Sequence, residues 1–309
     1  MPLALLAAAS IALTKPIDCD IGRTCVIQQY VDHDPGPGAK DYRCLGATYD
    51  GHDGTDFRLP DKAAQMRGVF VLAAAAGVVK AVRDGEADFA VGAFDRAKVK
   101  GKECGNGVLI DHGDGWQTQY CHMRQGSVAV HPGDRVASGG KLGLVGQSGD
   151  AAFVHLHLTV RHDGRAVDPF SPDAQTCGMS AAGDTLWIAG AQPDMAYRGT
   201  QVLNAGFAGQ TVTMDDIEGG QVRAPRPGAQ LVAYVRVIDL RQGDRQTLTL
   251  RTENGTVLAT SAPSPADHDK AQSFMFVGKS STAPGNYTAR YTVERDGAVV
   301  LSRDWQVRY

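Results

Sequence analysis

No stretch of this chain is apolar for long enough to cross a bilayer: the one apolar run, residues 1–14, falls short of the ~20 residues a spanning helix needs. Neither sign of charge dominates, with 31 Lys and Arg against 34 Asp and Glu. The bases are scattered, so there is no footprint for a nucleic-acid partner. Cysteines are few, six in 309 residues, and none stands in a C-x-x-C pair, which argues against cysteine zinc modules. Residues 184–309 contain no cysteine and one histidine, His268, so that half holds no constellation for chemistry. No Met-Lys pair occurs. That absence removes the lipoyl and biotinyl carriers, which share the glycine-rich pattern around Val130–Val136 and Gly143–Gly146 but need an exposed lysine at a hairpin tip.

What the chain does hold is His52-x-x-x-Asp56, His122 and His155-Leu156-His157, in segments that read as β-strands. Spacing of two along a strand puts His155 and His157 on one face, so that one can hold a metal while the other faces a substrate. His52 and Asp56 add a nitrogen and a carboxylate oxygen. Three protein ligands of N and O type leave a fourth tetrahedral position open, as in catalytic rather than structural zinc sites. Each pair alone is a weak signal, since exposed His and Asp are commonly solvated surface.

The surrounding motifs strengthen it. Gly105-Asn-Gly-Val-Leu-Ile-Asp-His-Gly-Asp-Gly-Trp116 is followed by Tyr120-Cys-His-Met123, Val130-His-Pro-Gly-Asp-Arg-Val136, Gly143-Leu-Val-Gly-Gln-Ser-Gly149 and His155-Leu-His-Leu158. This ordered series, over about residues 48–170, resembles the M23 peptidases, the lysostaphin or LytM type of zinc metalloendopeptidase. The resemblance implies one zinc per chain held by His52, Asp56 and His157, with His122 and His155 as the catalytic histidines. One of these two would act as general base and the other would donate to the oxyanion; which does which is open. Val154 departs from the proline many members carry before H-x-H, without removing a ligand. The implied activity is hydrolysis of peptide cross-links in bacterial peptidoglycan by zinc-activated water. The resemblance leaves two other readings open: a non-catalytic regulator that binds cell-wall amidases or peptidoglycan, and a secreted peptidase for glycine-rich proteins.

Strands are expected at 78–82, 108–111 and 116–120, around glycine turns that bring Cys104 near Cys121. Residues 1–14 read as a signal segment, with Ala7, Ala9 and Ala12 small enough for cleavage, and Cys19 lacks a lipoprotein acceptor context. Export to the periplasm or outside the cell favours disulfides. Cys19 with Cys25, Cys104 with Cys121 and, by elimination, Cys44 with Cys177 form one set; spacing alone leaves other pairings open. Residues 15–47 are read as a disulfide-containing extension and 48–177 as the peptidase domain. Residues 184–309 alternate apolar and polar residues in short runs between Asn-Gly, Pro-Gly and Asp-Gly turns, the pattern of an immunoglobulin-like β-sandwich. The fold class is therefore mainly β: an M23-type antiparallel sheet, then a sandwich that offers a surface for the wall or a protein partner, with Trp187 and Trp305 in its core. Arg83–Glu103, Asp32-His33-Asp34, Asp215-Asp-Ile-Glu218 and His112, His131, His162 and His268 read as solvated loops, turns or surface.

Overall fold

Short apolar runs broken by glycine turns become antiparallel strands in a computed structural model that describes residues 10–174, 176–178, 184–262 and 264–308. The chain forms two compact units. The first runs to Ala196 except for Pro60–Ala63, which cluster with the second, Tyr197–Tyr309.

In the first unit the strands are β1 (Val26–Gln29), β2 (Thr55–Arg58), β3 (Phe70–Leu72), β4 (Gly77–Arg83), β5 (Asn106–Gly113), β6 (Trp116–Met123), β7 (Arg135–Val136), β8 (Lys141–Leu144), β9 (His155–His162) and β10 (Arg165–Val167). One antiparallel sheet has the order β1-β2-β9-β6-β5-β4-β7, with β10 added to β9, while β3 and β8 form a separate pair. β4, β5 and β6 cover the three strands expected from the glycine-turn pattern. Asp114 and Gly115, both at positive φ, close the β5–β6 hairpin. Phe57 on β2, Val108 and Ile110 on β5, and Leu156 and Leu158 on β9 are buried and supply the apolar layer that fixes the register of the sheet.

Residues ahead of the peptidase motifs are built into this unit. β1 pairs with β2, and Leu13 is fully buried, its amide bonded to the carbonyl of Leu186. Of the signal segment, residues 1–9, with Ala7 and Ala9, lie outside the described residues. All three disulfides of the expected set are present: Cys19–Cys25, Cys44–Cys177 and Cys104–Cys121. Trp187, expected in the sandwich, instead packs in the first unit, its ring 5.5 Å from that of Phe170.

Several acids expected in solvated loops are engaged. Asp84 accepts the amides of Gly126 (2.7 Å) and Val128 (3.0 Å), and Asp88 accepts that of Gln125 (3.0 Å), which fastens the start of the Arg83–Glu103 segment to the fold. Asp32 accepts the amides of Asp34, Lys40 and Gly51, each at 3.0 Å, and His33 pairs with buried Asp168 at 2.8 Å. His112 sits half-buried on β5, its Nε2 2.8 Å from the Thr118 hydroxyl.

The second unit is a sandwich. Its strands are β11 (Gln201–Ala208), β12 (Leu231–Leu240), β13 (Arg245–Thr252), β14 (Val257–Thr260), β15 (Ser264–Pro265), β16 (Lys270–Lys279), β17 (Asn286–Arg295) and β18 (Ala298–Arg308). One sheet is β11-β12-β16, and the other is β14-β13-β17-β18 with β15 on β13. Leaving aside short β15, this is the A-B-E and C′-C-F-G arrangement of immunoglobulin-like sandwiches. Inward residues alternate along β17, where Tyr287, Ala289, Tyr291 and Val293 meet Val235, Val237, Leu248 and Leu250 in one core. Trp305 ties the sheets by donating from its indole nitrogen to the Gly206 carbonyl (3.1 Å). The acidic run at 215–218 is a short helix, Met214–Glu218, rather than a loop. Glu218 is nearly buried against the guanidinium of fully buried Arg236, so its charge is paired.

Candidate metal centre

β9 lies between β2 and β6, and its register sets Asp56 opposite His157 and Cys121 opposite His157 on the other side. Directly opposed residues share a face at close range, so three neighbouring strands bring their polar side chains to one point. His52 lies in the turn before β2 rather than on a strand. Gly54 lets this turn pass the β9 face: a Cβ there would lie 2.5 Å from Nε2 of His157.

All five residues singled out from the sequence meet here, and all are buried or nearly so. His52 Nε2, His157 Nδ1 and one oxygen of Asp56 form a triangle with sides of 3.2, 2.9 and 3.3 Å. A tetrahedral site with bonds of about 2.0 Å has edges of about 3.3 Å, so this donor set fits one zinc ion. The tautomers of these two rings are set by their far nitrogens. Nδ1 of His52 donates to the Tyr30 carbonyl at 2.6 Å, and Nε2 of His157 lies 3.0 Å from the Thr159 hydroxyl and 3.3 Å from Asp53.

His155 and His122 flank the triangle, their rings 4.5 Å apart. Each donates Nδ1–H to a backbone carbonyl, His155 to Phe153 (2.9 Å) and His122 to Ser148 (2.8 Å), which leaves each Nε2 lone pair unprotonated. Nε2 of His155 stands 3.6 Å from Asp56. In an extended strand consecutive side chains point to opposite faces, yet Cys121 and His122 both line the cleft over the site. The φ of +61° at His122 breaks the alternation and turns its ring inward. The amide of His122 donates to the Cys104 carbonyl at 2.8 Å, beside the Cys104–Cys121 disulfide.

Electrostatics divide the histidines. Burial pulls His122 well below the usual imidazole range, reinforced by His155 and His157. Burial likewise lowers His155, against the opposing pull of Asp56. Both are neutral at pH 7. Burial acts on His157 in the same sense, but the carboxylates of Asp53 and Asp56 overcome it and push that ring up to about 9. Those carboxylates favour positive charge at this point, whether proton or metal. Burial would raise Asp56, yet His52, His155 and His157 hold it well below the usual carboxylate range.

Tyr49, Asp53, Thr159 and Arg161 line the same cleft and were not singled out from the sequence. Tyr49 packs 4.5 Å from the His52 ring, and burial with the nearby carboxylates raises its phenol so that it remains a donor. For Asp53 the one available signal was its place beside His52.

A mixed nitrogen and oxygen triad flanked by two neutral imidazoles is a group that could hold one metal ion. Residues 50–169 match the family model of peptidase family M23. Curated relatives include the peptidoglycan DD-endopeptidase ShyA of Vibrio cholerae, 30% identical over 117 residues, which are 38% of this chain and 22% of that one. Another is the DD-carboxypeptidase/endopeptidase Mpg of Neisseria meningitidis, 33% identical over 85 residues, 28% of this chain and 19% of that one. The chain thus spans about a fifth of the length of these relatives. Similar solved structures include a zinc-containing peptidase from Vibrio cholerae, at 24% identity and TM-score 0.34, covering 52% of this chain and 39% of that one.

Proposed function

We propose that the chain is a zinc metalloendopeptidase that hydrolyses peptide cross-links of bacterial peptidoglycan, with His52, Asp56 and His157 holding one zinc ion. The observation that carries this reading is the 2.9–3.3 Å donor triangle beside two imidazoles whose Nδ1–H groups are taken by carbonyls, leaving Nε2 as the free nitrogen of each. When bound, zinc supplies Lewis acidity toward the scissile carbonyl and acidifies water to a pKa of about 7. Nε2 of either His122 or His155 takes the proton of the attacking water and passes it to the departing amine. The other takes up a proton from solvent at Nε2 as negative charge develops on the substrate oxygen, and in that cationic form donates to the oxyanion. The Nδ1–H bonds to Ser148 and Phe153 hold both rings in the orientation this needs.

The substrate class is supported by relatives named for peptidoglycan DD-endopeptidase and DD-carboxypeptidase/endopeptidase activity. Export to the periplasm or beyond is in keeping with three disulfides and no free cysteine among the described residues. No helix among the described residues is long and apolar enough to cross a membrane. Purified sacculi of diaminopimelate and glycine-bridged types, digested with and without a zinc chelator and read by mass spectrometry, test the activity. Chelator-sensitive release of peptide fragments is expected; zinc-loaded protein that binds sacculi and releases nothing would make the chain a binding regulator instead.

For the sandwich we propose a targeting role on the cell wall or a protein partner. A chain ending at Ala196 is expected to keep the hydrolysis of soluble cross-linked peptides and to sediment less with sacculi. Equal sedimentation and equal sacculus digestion would remove that role.

A further inference from the structure

Behind His157 lies a line of charged and polar groups that ends at the cleft wall. One oxygen of Asp53 is 3.3 Å from Nε2 of His157, and its other oxygen accepts from Nη2 of Arg161 at 3.0 Å. Arg161 is held in turn by Gln119, whose amide oxygen accepts from Nη1 at 2.7 Å. The parts come from three places in the chain: the turn before β2, β6 and β9. Gln119 and Arg161 stand two residues along their strands from Cys121 and Thr159, so period-two geometry keeps them on the face that carries His157.

We propose that Asp53 is a positioning residue for the metal, completing a carboxylate–histidine–metal triad through His157, with Arg161 and Gln119 fixing the carboxylate. This rests on the zinc site proposed above. An imidazole that binds metal through one nitrogen needs its proton on the other, and an ionised acceptor there sets the tautomer, locks the ring and raises the basicity of the ligating nitrogen. His157 offers Nδ1 to the donor triangle, which puts its proton on Nε2, toward Asp53. The Thr159 hydroxyl is a second acceptor at 3.0 Å, but it is neutral, and a bond to a carboxylate is roughly twice as strong. Arg161 prevents Asp53 from turning out to water: the aspartate side chain is 49% exposed, and without the guanidinium nothing else described would hold that second oxygen toward the strand. His52, by contrast, relies on the main-chain carbonyl of Tyr30, which no side-chain substitution removes. Of the two histidines in the triangle, His157 alone has its far nitrogen met by side chains, and one of them, Asp53, lines the cleft.

The test is zinc binding itself, by competition with a chromophoric chelator on the full chain, with the visible spectrum of the cobalt-substituted protein as a second readout. Asp53→Ala is expected to weaken zinc binding about 10- to 100-fold and to shift the cobalt bands, while the metal-free protein keeps its melting temperature. Asp53→Asn, which keeps an acceptor without its charge, should fall between Asp53→Ala and the parent chain and serves if the alanine variant does not fold. Arg161→Gln should weaken binding less than Asp53→Ala, and Thr159→Val less again. An unchanged zinc affinity and cobalt spectrum in both Asp53 variants would overturn the proposal while leaving the zinc site standing. So would a larger loss in Thr159→Val than in Asp53→Ala. A parent chain that binds no zinc would remove the site and the triad together.

Discussion

His157→Ala is expected to abolish stoichiometric zinc binding and to lower kcat/KM on cross-linked peptides by at least about 10³-fold. His157 forms two sides of the donor triangle and pairs with Asp53 at 3.3 Å. Removing it leaves two donors, His52 and Asp56, and brings Asp53 and Asp56 together without the ring between them. Metal-supplied stabilisation of developing charge is worth several kcal/mol, and each 1.36 kcal/mol is a factor of ten, which sets the floor. Elemental analysis after dialysis and turnover of a defined peptide are the measurements. Asp56→Asn gives an independent route to the same outcome, since a neutral amide oxygen is a poor substitute for the carboxylate oxygen that stands 2.9 Å from Nδ1 of His157 in the donor triangle. Retained zinc with retained turnover in His157→Ala would end the ligand assignment.

His122→Ala is expected to do the opposite to the metal and nearly the same to the rate. The zinc content should match the parent chain, because no atom of His122 belongs to the donor triangle, whereas kcat should fall by about 10²- to 10⁴-fold. The same holds for His155→Ala, with a somewhat larger effect on the metal because its Nε2 stands 3.6 Å from Asp56. The pH–rate profile separates the two. Both imidazoles are held below their usual range by burial, so each is an unprotonated acceptor at neutral pH and the acidic limb of the profile reports whichever serves as base. The variant that loses the acidic limb has lost the base. The variant that keeps the limb and loses about 10²- to 10³-fold in kcat has lost the oxyanion donor. Full activity in either variant would end its catalytic role.

Much of the site was legible because its signals are short-range. Period two on a strand is enough to set His155 and His157 on one face, and the glycine turns mark β4, β5 and β6 without knowledge of their neighbours. The alternation after residue 184 likewise marks a sandwich, since a half-buried strand must show it wherever it lies. What escaped depends on partners remote in sequence. Trp187 carries the same apolar signal whichever unit it joins, and the buried Leu13 strand segment beside it decided the matter. The run 215–218 looks like solvated acid until Arg236 is found buried against Glu218. Asp53 reads as surface until Arg161, more than a hundred residues later, turns it toward His157.

By itself, then, the order of residues singled out the five polar groups that meet in the cleft, and the strands of four of them, because residue type and strand period are local properties. The tertiary structure decided how those groups address one another. It placed β9 between β2 and β6, so that Asp56 and His157 fall in register. It turned His122 inward through a left-handed backbone angle that no alternation pattern encodes. It also assigned His52, His122 and His155 their ring protons through carbonyls of Tyr30, Ser148 and Phe153. A carbonyl is the same in every residue, so its place in a hydrogen-bond network leaves no mark in a sequence and is fixed only when the chain has folded around it.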